Sequence, residues 1–293
     1  MKRIFTSLLI LALSLSTLAK DYNILLFGHS FGMDCTENLP ALIVEAGIDN
    51  VRIARIIKGN CSLEEHYKFI GEGRTKGYSV SEPGTTKFVT EPMTVRQAVE
   101  AYAWDVVVFQ TSLEGEGQYE TCQPYLNDLV KFVKKIQKKK FKNSPRFCWN
   151  MFWPISKKLE NSIKEPHHTR MEPYGHDTNK AYAAYVATAK TVASKMKFDV
   201  IPSGTAIMKL RASSANTPEM NEFTRDGYHM SYGVGRYAAA CVWFEYLIAP
   251  EYKTTVLGNS LRLPDAKVPV TDANVTPLQQ AAVDAVADPY NGL

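Results

Sequence analysis

Short, unbroken apolar runs alternate along this chain with longer stretches that are apolar only at helical spacing. The clearest run lies in residues 105–110, Asp-Val-Val-Val-Phe-Gln, and another, residues 23–27, ends at Gly28. Such runs are typical of strands buried on both faces, as in parallel sheets that are covered by helices. Their alternation with helices predicts an α/β fold built on a mainly parallel sheet.

Five strands are predicted, together with the helices that connect them. The predicted strands cover residues 23–27, 51–57, 105–110, 146–152 and 198–201. The predicted helices cover residues 36–46, 94–102, 122–140, 173–196 and 232–248, with others starting near residues 62 and 276. Ser62 with Glu65 and Thr94 with Gln97 match the capping-box pattern that starts a helix. Residues 78–90 alternate in polarity and indicate an inserted hairpin.

The first 19 residues have the composition of an export signal. They combine a basic start at Lys2 and Arg3, an apolar stretch over residues 8–15 and a small-residue cleavage site at Ala19. The apolar stretch is too short to anchor the protein across a membrane. We therefore expect an exported protein, periplasmic or extracellular, without a membrane span. Removing Lys2 and Arg3 lowers the formal charge from +4 to +2, which provides no field that favours nucleic acid.

The rest of the chain is long enough for one large domain. Its 45% apolar and 22% charged residues are ordinary for a globular protein. We expect the domain to cover residues 20–250, with residues 251–293 as a C-terminal extension packed on it. The five cysteines lack the spacing of structural zinc sites. Cys35 and Cys61 follow the first two strands, and an oxidising compartment would permit a disulfide between them.

Polar and small residues follow several predicted strands at the point where each strand ends. Ser30 follows the first strand, Gly59 the second and Gln110 the third, and the pair Asp226 and His229 comes near the end of the chain. Ligands of open parallel sheets gather beyond the carboxyl ends of the strands, so these residues are expected to meet at one edge. A serine hydroxyl needs a base, and a histidine three residues after a carboxylate is well suited to that role.

This set of residues resembles that of the SGNH (GDSL-like) hydrolase family of esterases, over most of the chain after residue 19. The likeness is greatest to a secreted bacterial branch of the family that is largely without assigned function. It implies a three-layer α/β/α, flavodoxin-like sandwich with a central, mainly parallel five-stranded sheet. Ser30 would be the nucleophile, His229 the general base and Asp226 the carboxylate that orients the base. The backbone N–H groups of Ser30 and Gly59 would form the oxyanion hole.

The third oxyanion donor departs from the family pattern. SGNH hydrolases supply an asparagine side chain just after the third strand, and here Gln110 stands at that position. The resemblance therefore implies Gln110 as the third donor, with one additional methylene in its side chain.

A second class of serine hydrolases shares part of this pattern. Gly28-x-Ser30-x-Gly32 also matches the nucleophile elbow of α/β-hydrolases, which use the same order of serine, acid and histidine. Several strands precede the elbow in that fold, whereas only about ten residues separate Ser30 from the predicted cleavage site. The α/β-hydrolase fold is therefore excluded by topology.

The resemblance and the export signal together favour a secreted serine esterase that removes O-acetyl groups from carbohydrates. Lipid or aryl esters remain open as substrates, and so does a catalytically inactive carbohydrate-binding or scaffold protein on the same fold. Tyr228 and Trp153 are the candidates for contact with a substrate, although aromatic residues near strand ends are as often part of the core. No cofactor or metal site is predicted, since His167 and His168 lie in a proline-rich loop.

Overall fold

A computed structural model describes residues 20–73 and 75–293 of the chain. Within these residues a single sheet has seven strands in the order β4-β3-β2-β1-β5-β6-β7. The strands are β1 (Tyr22–Gly28), β2 (Val51–Ile57), β3 (Thr75–Ser81), β4 (Val89–Thr94), β5 (Val106–Phe109), β6 (Arg146–Asn150) and β7 (Asp199–Ile201). The export signal predicted over residues 1–19 lies outside the described residues.

Five parallel strands form the body of the sheet. β1 pairs with β2 on one side and β5 on the other, so that Leu25 lies beside both Ala54 and Val107. β6 and β7 continue the parallel sheet beyond β5. The chain moves from β1 to β2, then crosses back over β1 to β5 and continues away from it. This reversal creates a topological switch point at the carboxyl ends of β1 and β5.

The α/β/α architecture predicted from the sequence is confirmed, but the sheet has seven strands rather than five. The two additional strands are β3 and β4, which form the predicted hairpin. β3 pairs antiparallel with β2, and β4 pairs antiparallel with β3. The hairpin thus extends one edge of the sheet instead of standing apart from it.

Helices cover both faces of the sheet. They are α1 (Ser30–Thr36), α2 (Leu39–Glu45), α3 (Leu63–Glu72), α4 (Val95–Ala101), α5 (Tyr125–Phe141), α6 (His167–Met171), α7 (Thr178–Met196), α8 (Ser203–Ala212), α9 (Val234–Trp243), α10 (Ala249–Tyr252) and α11 (Val275–Ala287). α1, α2, α8 and α11 pack around α9 on one face, whereas α3 and α4 pack on α5 on the other. The C-terminal helix α11 therefore lies in the same layer as α1, and both helices contact α9. No helix in the described part of the chain is both long and apolar enough to cross a bilayer.

The central strands are buried because helices cover them on both sides. Ile24 to Phe27 of β1 and Val107 to Phe109 of β5 have no exposed surface. Their unbroken apolar sequences suit this environment, since neither face of either strand meets water. The two central strands thus form a rigid base for the residues that follow them.

Several helix boundaries differ from the predictions. The first helix begins at Ser30 rather than at Thr36, because the His29 ring accepts a hydrogen bond from the Phe31 N–H and caps it early. The capping boxes at Ser62 and Thr94 are confirmed, each with both reciprocal hydrogen bonds. α8 has no counterpart among the predicted helices.

The predicted disulfide between Cys35 and Cys61 is wrong: the structure has no bond between the two residues. Cys35 lies in α1, and its sulfur is 3.7 Å from Ser203 Oγ. Cys61 comes just before α3, which packs against α5 on the opposite face of the sheet. The two strands are neighbours, as expected, but the segments after them leave to opposite sides.

Candidate active site

Ser30 lies at the carboxyl end of β1, beside the topological switch point. It is the first residue of α1 and is partly exposed, whereas the residues on either side of it are buried. The short connection from β1 to α1 leaves the serine little freedom to move away from the edge of the sheet. This is the position at which an open parallel sheet binds its ligands.

Ser30, His229 and Asp226 form a continuous chain of hydrogen bonds. The distance from Ser30 Oγ to His229 Nε2 is 2.8 Å, and that from His229 Nδ1 to Asp226 Oδ2 is 2.7 Å. With a proton on Nδ1, the imidazole donates to the carboxylate and Nε2 accepts from the serine hydroxyl. The three residues predicted from the sequence are therefore brought together in the order that a nucleophile, a base and an orienting acid require.

The backbone between Asp226 and His229 makes a tight turn around the carboxylate. Asp226 Oδ1 accepts hydrogen bonds from the N–H groups of Tyr228, at 3.1 Å, and His229, at 2.7 Å. Gly227 has a φ of +91°, a conformation that a side chain would strain. The turn is closed by an antiparallel bridge between Thr224 and Met230.

This turn keeps Asp226 ionised. Partial burial alone would raise the pKa of Asp226, but hydrogen bonds from the His229 ring and from the N–H groups of His229 and Tyr228 outweigh it. The pKa therefore lies below its usual value. An ionised Asp226 stabilises the imidazolium that forms when His229 takes up a proton.

His29, directly before Ser30, is not placed to act as a base. The residue has no exposed surface, and its two ring nitrogens contact the Thr111 carbonyl and the Phe31 N–H. Burial lowers the pKa of His29 to about 3. The ring is a neutral cap of α1, and of these two histidines it is His229 whose ring has a nitrogen directed at Ser30.

Asn60 fixes the loop that follows β2. Asn60 has a φ of +48°, and its Nδ2 donates to both oxygens of Glu114, at 3.1 and 2.8 Å. Its Oδ1 accepts from the Leu113 N–H, and Glu114 in turn accepts from Arg170 Nε at 2.7 Å. Gly59, the predicted oxyanion donor, precedes this fixed residue and has open space where a side chain would stand.

Asn60, Glu114 and Arg170 were not identified as site residues from the sequence. The only sequence signal was an asparagine directly after Gly59, and asparagine is among the residues that tolerate positive φ. Glu114 lies in the loop after β5, and Arg170 lies in α6. Glu114 contacts Asn60 and Arg170 contacts Glu114, so the arrangement depends on three segments meeting at the edge of the sheet.

Gln110 directly follows β5, at the predicted position, but its side chain does not reach open space. Its side chain is fully buried beneath α1, where it fills the space left by Gly28 and Gly32. Its Oε1 accepts from Asn150 Nδ2 at 3.2 Å, and its Nε2 has no hydrogen-bond partner among the described residues. An oxyanion donor must reach the substrate, and this amide is enclosed by protein. The geometry favours a packing role for Gln110.

The two aromatic candidates have different environments. Trp153 is fully buried and stacks on Phe31 with ring centroids 4.7 Å apart, so it is not available for the predicted contact with a substrate. Its indole N–H donates to the Tyr228 carbonyl at 2.7 Å and thereby supports the turn between Asp226 and His229. Tyr228 is partly exposed, and its ring lies 4.3 Å from that of His229 and 4.9 Å from that of His167. Tyr228 therefore stays a candidate for substrate contact.

Solved structures share the fold. A DUF4886 family protein from Bacteroides uniformis is 27% identical, with a TM-score of 0.79, over 94% of this chain and 98% of that one. A candidate SGNH hydrolase from Slackia heliotrinireducens has 18% identity and a TM-score of 0.48, over 75% of this chain and 96% of that one. An acetyl xylan esterase has 14% identity and a TM-score of 0.42, over 75% and 98% of the two chains.

SGNH and GDSL-like hydrolases are thus among the solved structures that this chain is similar to. No curated protein matches the chain. The family model described as a domain of unknown function, DUF4886, matches residues 23–285, and the chain belongs to that family.

Proposed function

We propose that this protein is an exported serine esterase that removes O-acetyl groups from carbohydrates. The observation that carries the proposal is the unbroken hydrogen-bond chain from Ser30 through His229 to Asp226. These three hydrogen-bonded residues lie at the carboxyl ends of the parallel strands, and the serine is partly exposed. These are the elements that acyl transfer through a covalent serine intermediate requires.

In the first half of the reaction, Ser30 becomes acylated. Ser30 Oγ attacks the ester carbonyl carbon while its proton passes to His229 Nε2. The carbonyl oxygen takes the negative charge of the tetrahedral intermediate, which the N–H groups of Ser30 and Gly59 would stabilise. The carbon–oxygen bond to the alcohol then breaks, and the alcohol leaves with the proton from His229. Asp226 stabilises the imidazolium throughout.

In the second half, water releases the acyl group. His229 Nε2 takes a proton from a water molecule, whose oxygen attacks the acyl carbon of the Ser30 ester. Collapse of the second intermediate breaks the bond to Ser30 Oγ, which recovers its proton from His229. The products are a carboxylic acid and a free enzyme, and no step uses a cofactor.

The choice of carbohydrate acetates is supported by two features. The N-terminal sequence has the composition of an export signal, and polysaccharides are major sources of esters outside the cell. Tyr228 presents a partly exposed ring next to His229, where it can stack against the apolar face of a sugar.

Hydrolysis of p-nitrophenyl acetate tests the mechanism. We expect Ser30→Ala to lose nearly all activity and to lose covalent labelling by a fluorophosphonate, while the protein stays folded. Ser194→Ala is the matched control, because Ser194 is an exposed serine on α7. It should keep both activity and labelling. Equal turnover by Ser30→Ala and the wild type would end the proposal.

A separate assay addresses the substrate. Acetate release should be measured across acetylated polysaccharides, with long-chain lipid esters and aryl esters as competitors. Under the proposal, an acetylated carbohydrate gives the highest kcat/KM. A protein that binds glycans but cleaves no ester would instead be a binding module on a hydrolase fold.

A further inference from the structure

The helix that carries the nucleophile is tied to the segment that carries the base by one buried carboxylate. Asp34 lies in α1 and has no exposed surface. Its Oδ2 accepts from the Met230 N–H at 2.9 Å, and its Oδ1 accepts from Arg236 Nε at 2.7 Å. Arg225 Nη1 donates to both oxygens, at 3.2 and 3.3 Å. All these donors belong to the chain around His229.

The positions of these contacts relate directly to the reacting atoms. Asp34 comes four residues after Ser30 on the same helix, about one turn or 6 Å along its axis. Met230 is the residue after His229, so the bond from its N–H anchors the base segment within one residue of the imidazole. Arg225 also donates to the Met230 carbonyl. Both ends of the Ser30–His229 hydrogen bond are thus fixed with reference to one side chain.

Arg225 and Arg236 also contact a second group, the ring of Tyr232. The guanidinium groups of Arg225 and Arg236 lie 4.7 and 4.6 Å from the centre of the Tyr232 ring, so the ring lies against both cations. A buried carboxylate requires compensation by charge and hydrogen bonds, and Asp34 receives both. Because the hydrogen bonds to Asp34 are directional, they constrain where the segment that contains His229 lies relative to α1.

We propose that Asp34 is a positioning residue of the hydrolytic site, which sets the distance between Ser30 and His229 by joining α1 to the base segment. The inference rests on the proposed esterase function and assigns a role to a residue that touches neither the substrate nor the reacting atoms. A displacement of about 1 Å at a reacting pair can cost about 10²-fold in rate. Loss of the carboxylate should therefore affect turnover more than binding.

Asp34→Asn tests this role, because it preserves the size of the side chain and removes its charge. We expect kcat for p-nitrophenyl acetate to fall by about 10²-fold, with KM within about twofold of the wild type. Labelling of Ser30 by a fluorophosphonate should slow in parallel. The ¹⁵N resonance of His229 Nε2 should shift as its hydrogen bond with Ser30 weakens. Asp34→Glu keeps the charge and should recover part of the lost rate.

Gln137→Ala is the matched control for lost stability. Gln137 is also fully buried, and it bonds to the backbone of Trp104 and Val99. Trp104 precedes β5, so these bonds lie near the amino ends of the strands, whereas Ser30 lies at their carboxyl ends. Gln137→Ala should lower the melting temperature without changing kcat at temperatures where it is folded. If Asp34 only stabilises the fold, Asp34→Asn will behave in the same way, and that result would overturn the proposal.

Two further measurements keep the test decisive. If Asp34→Asn does not fold, Arg236→Gln removes one partner of Asp34 and leaves Arg225 in place. It should lower kcat by a smaller factor with unchanged KM, and wild-type kcat in this variant would refute the role. If the wild-type protein cleaves no ester, the proposed function fails, whereas the His229 resonance still reports whether Asp34 sets the Ser30–His229 contact.

Discussion

At the scale of single residues, neighbouring polar side chains at this edge have sharply different functions. His29 and His229 both lie next to Ser30, but burial lowers the pKa of His29 to about 3 while His229 points its Nε2 at the serine hydroxyl. Sequence position alone would not separate them. Burial and the direction of the ring determine which histidine can accept the proton.

Gln110 provides the clearest test at this scale. Its oxygen accepts from Asn150, and its side chain fills the space beside Gly28 and Gly32. Gln110→Ala would leave a cavity and would remove the oxygen acceptor of the Asn150 amide, which would keep only the Cys35 sulfur at 3.8 Å. Each change costs about 1–3 kcal/mol. We expect a loss of about 2–4 kcal/mol in the free energy of unfolding, measured in urea, with kcat reduced by less than about tenfold.

The opposite result would restore the role that the SGNH pattern implies for Gln110. A folded Gln110→Ala protein with nearly normal stability and a kcat lower by about 10²–10³-fold would identify it as an oxyanion donor. Gln110→Glu separates the two roles further. It keeps an acceptor for Asn150 but places a second carboxyl oxygen where the amide nitrogen stood.

At the scale of elements, the loop between β2 and α3 carries the predicted oxyanion donor Gly59. Asn60 fixes this loop through its own left-handed backbone and through the two hydrogen bonds from its amide to Glu114. The capping box of Ser62 and Glu65 then starts α3 immediately afterwards. Very few residues therefore determine the direction of the Gly59 N–H.

A pair of substitutions at Asn60 separates the backbone from the side chain. Asn60→Gly accepts a φ of +48° without strain but loses the contact with Glu114, whereas Asn60→Ala loses the contact and is strained. If the Gly59 N–H stabilises the oxyanion, both variants should lower kcat with little change in KM. Asn60→Ala should have the larger effect and should also be less stable, by about 1 kcal/mol relative to Asn60→Gly. Normal kcat in both variants would remove this loop from the oxyanion hole.

Elements differ in how far the sequence predicts them. β1 and β5 are predicted well, because strands buried on both faces leave an unbroken apolar run. α8 is missed because it is buried on nearly all sides, from Ser203 to Met208, and so lacks an amphipathic stripe. Ser30, Asp226 and His229 are predicted as site residues because each follows a strand or belongs to a short motif. The role of Asp34 cannot be predicted in this way, because its hydrogen-bond partners lie 191, 196 and 202 residues further along the chain.

At the scale of the whole molecule, buried titratable groups make stability depend on pH in opposing directions. Burial lowers the pKa of His66 to about 4, so the unfolded chain binds more protons there than the folded one between about pH 4 and 6.5. The contribution of His66 to the free energy of unfolding therefore increases with pH across that window.

Glu116 acts in the opposite direction. It has no exposed surface, and its burial raises its pKa well above 4.5. The folded state keeps a proton on Glu116 that the unfolded state loses, so its contribution decreases as pH rises above 4.5.

Glu116→Gln isolates this second effect. Glutamine has nearly the same shape as the protonated carboxyl group, and its oxygen can still accept from the Phe152 N–H, which Glu116 Oε1 contacts at 3.3 Å. The histidines are common to both proteins and cancel in the comparison. We expect the variant to gain free energy of unfolding relative to the wild type as pH rises from 5 to 8, by up to about 1.4 kcal/mol per pH unit. Urea unfolding at several pH values measures the difference. Glu120→Gln, at an exposed neighbour, is the matched control for the removal of a carboxyl group. A difference between Glu116→Gln and the wild type that is constant with pH would mean that Glu116 is ionised inside the fold, against the direction that its burial dictates.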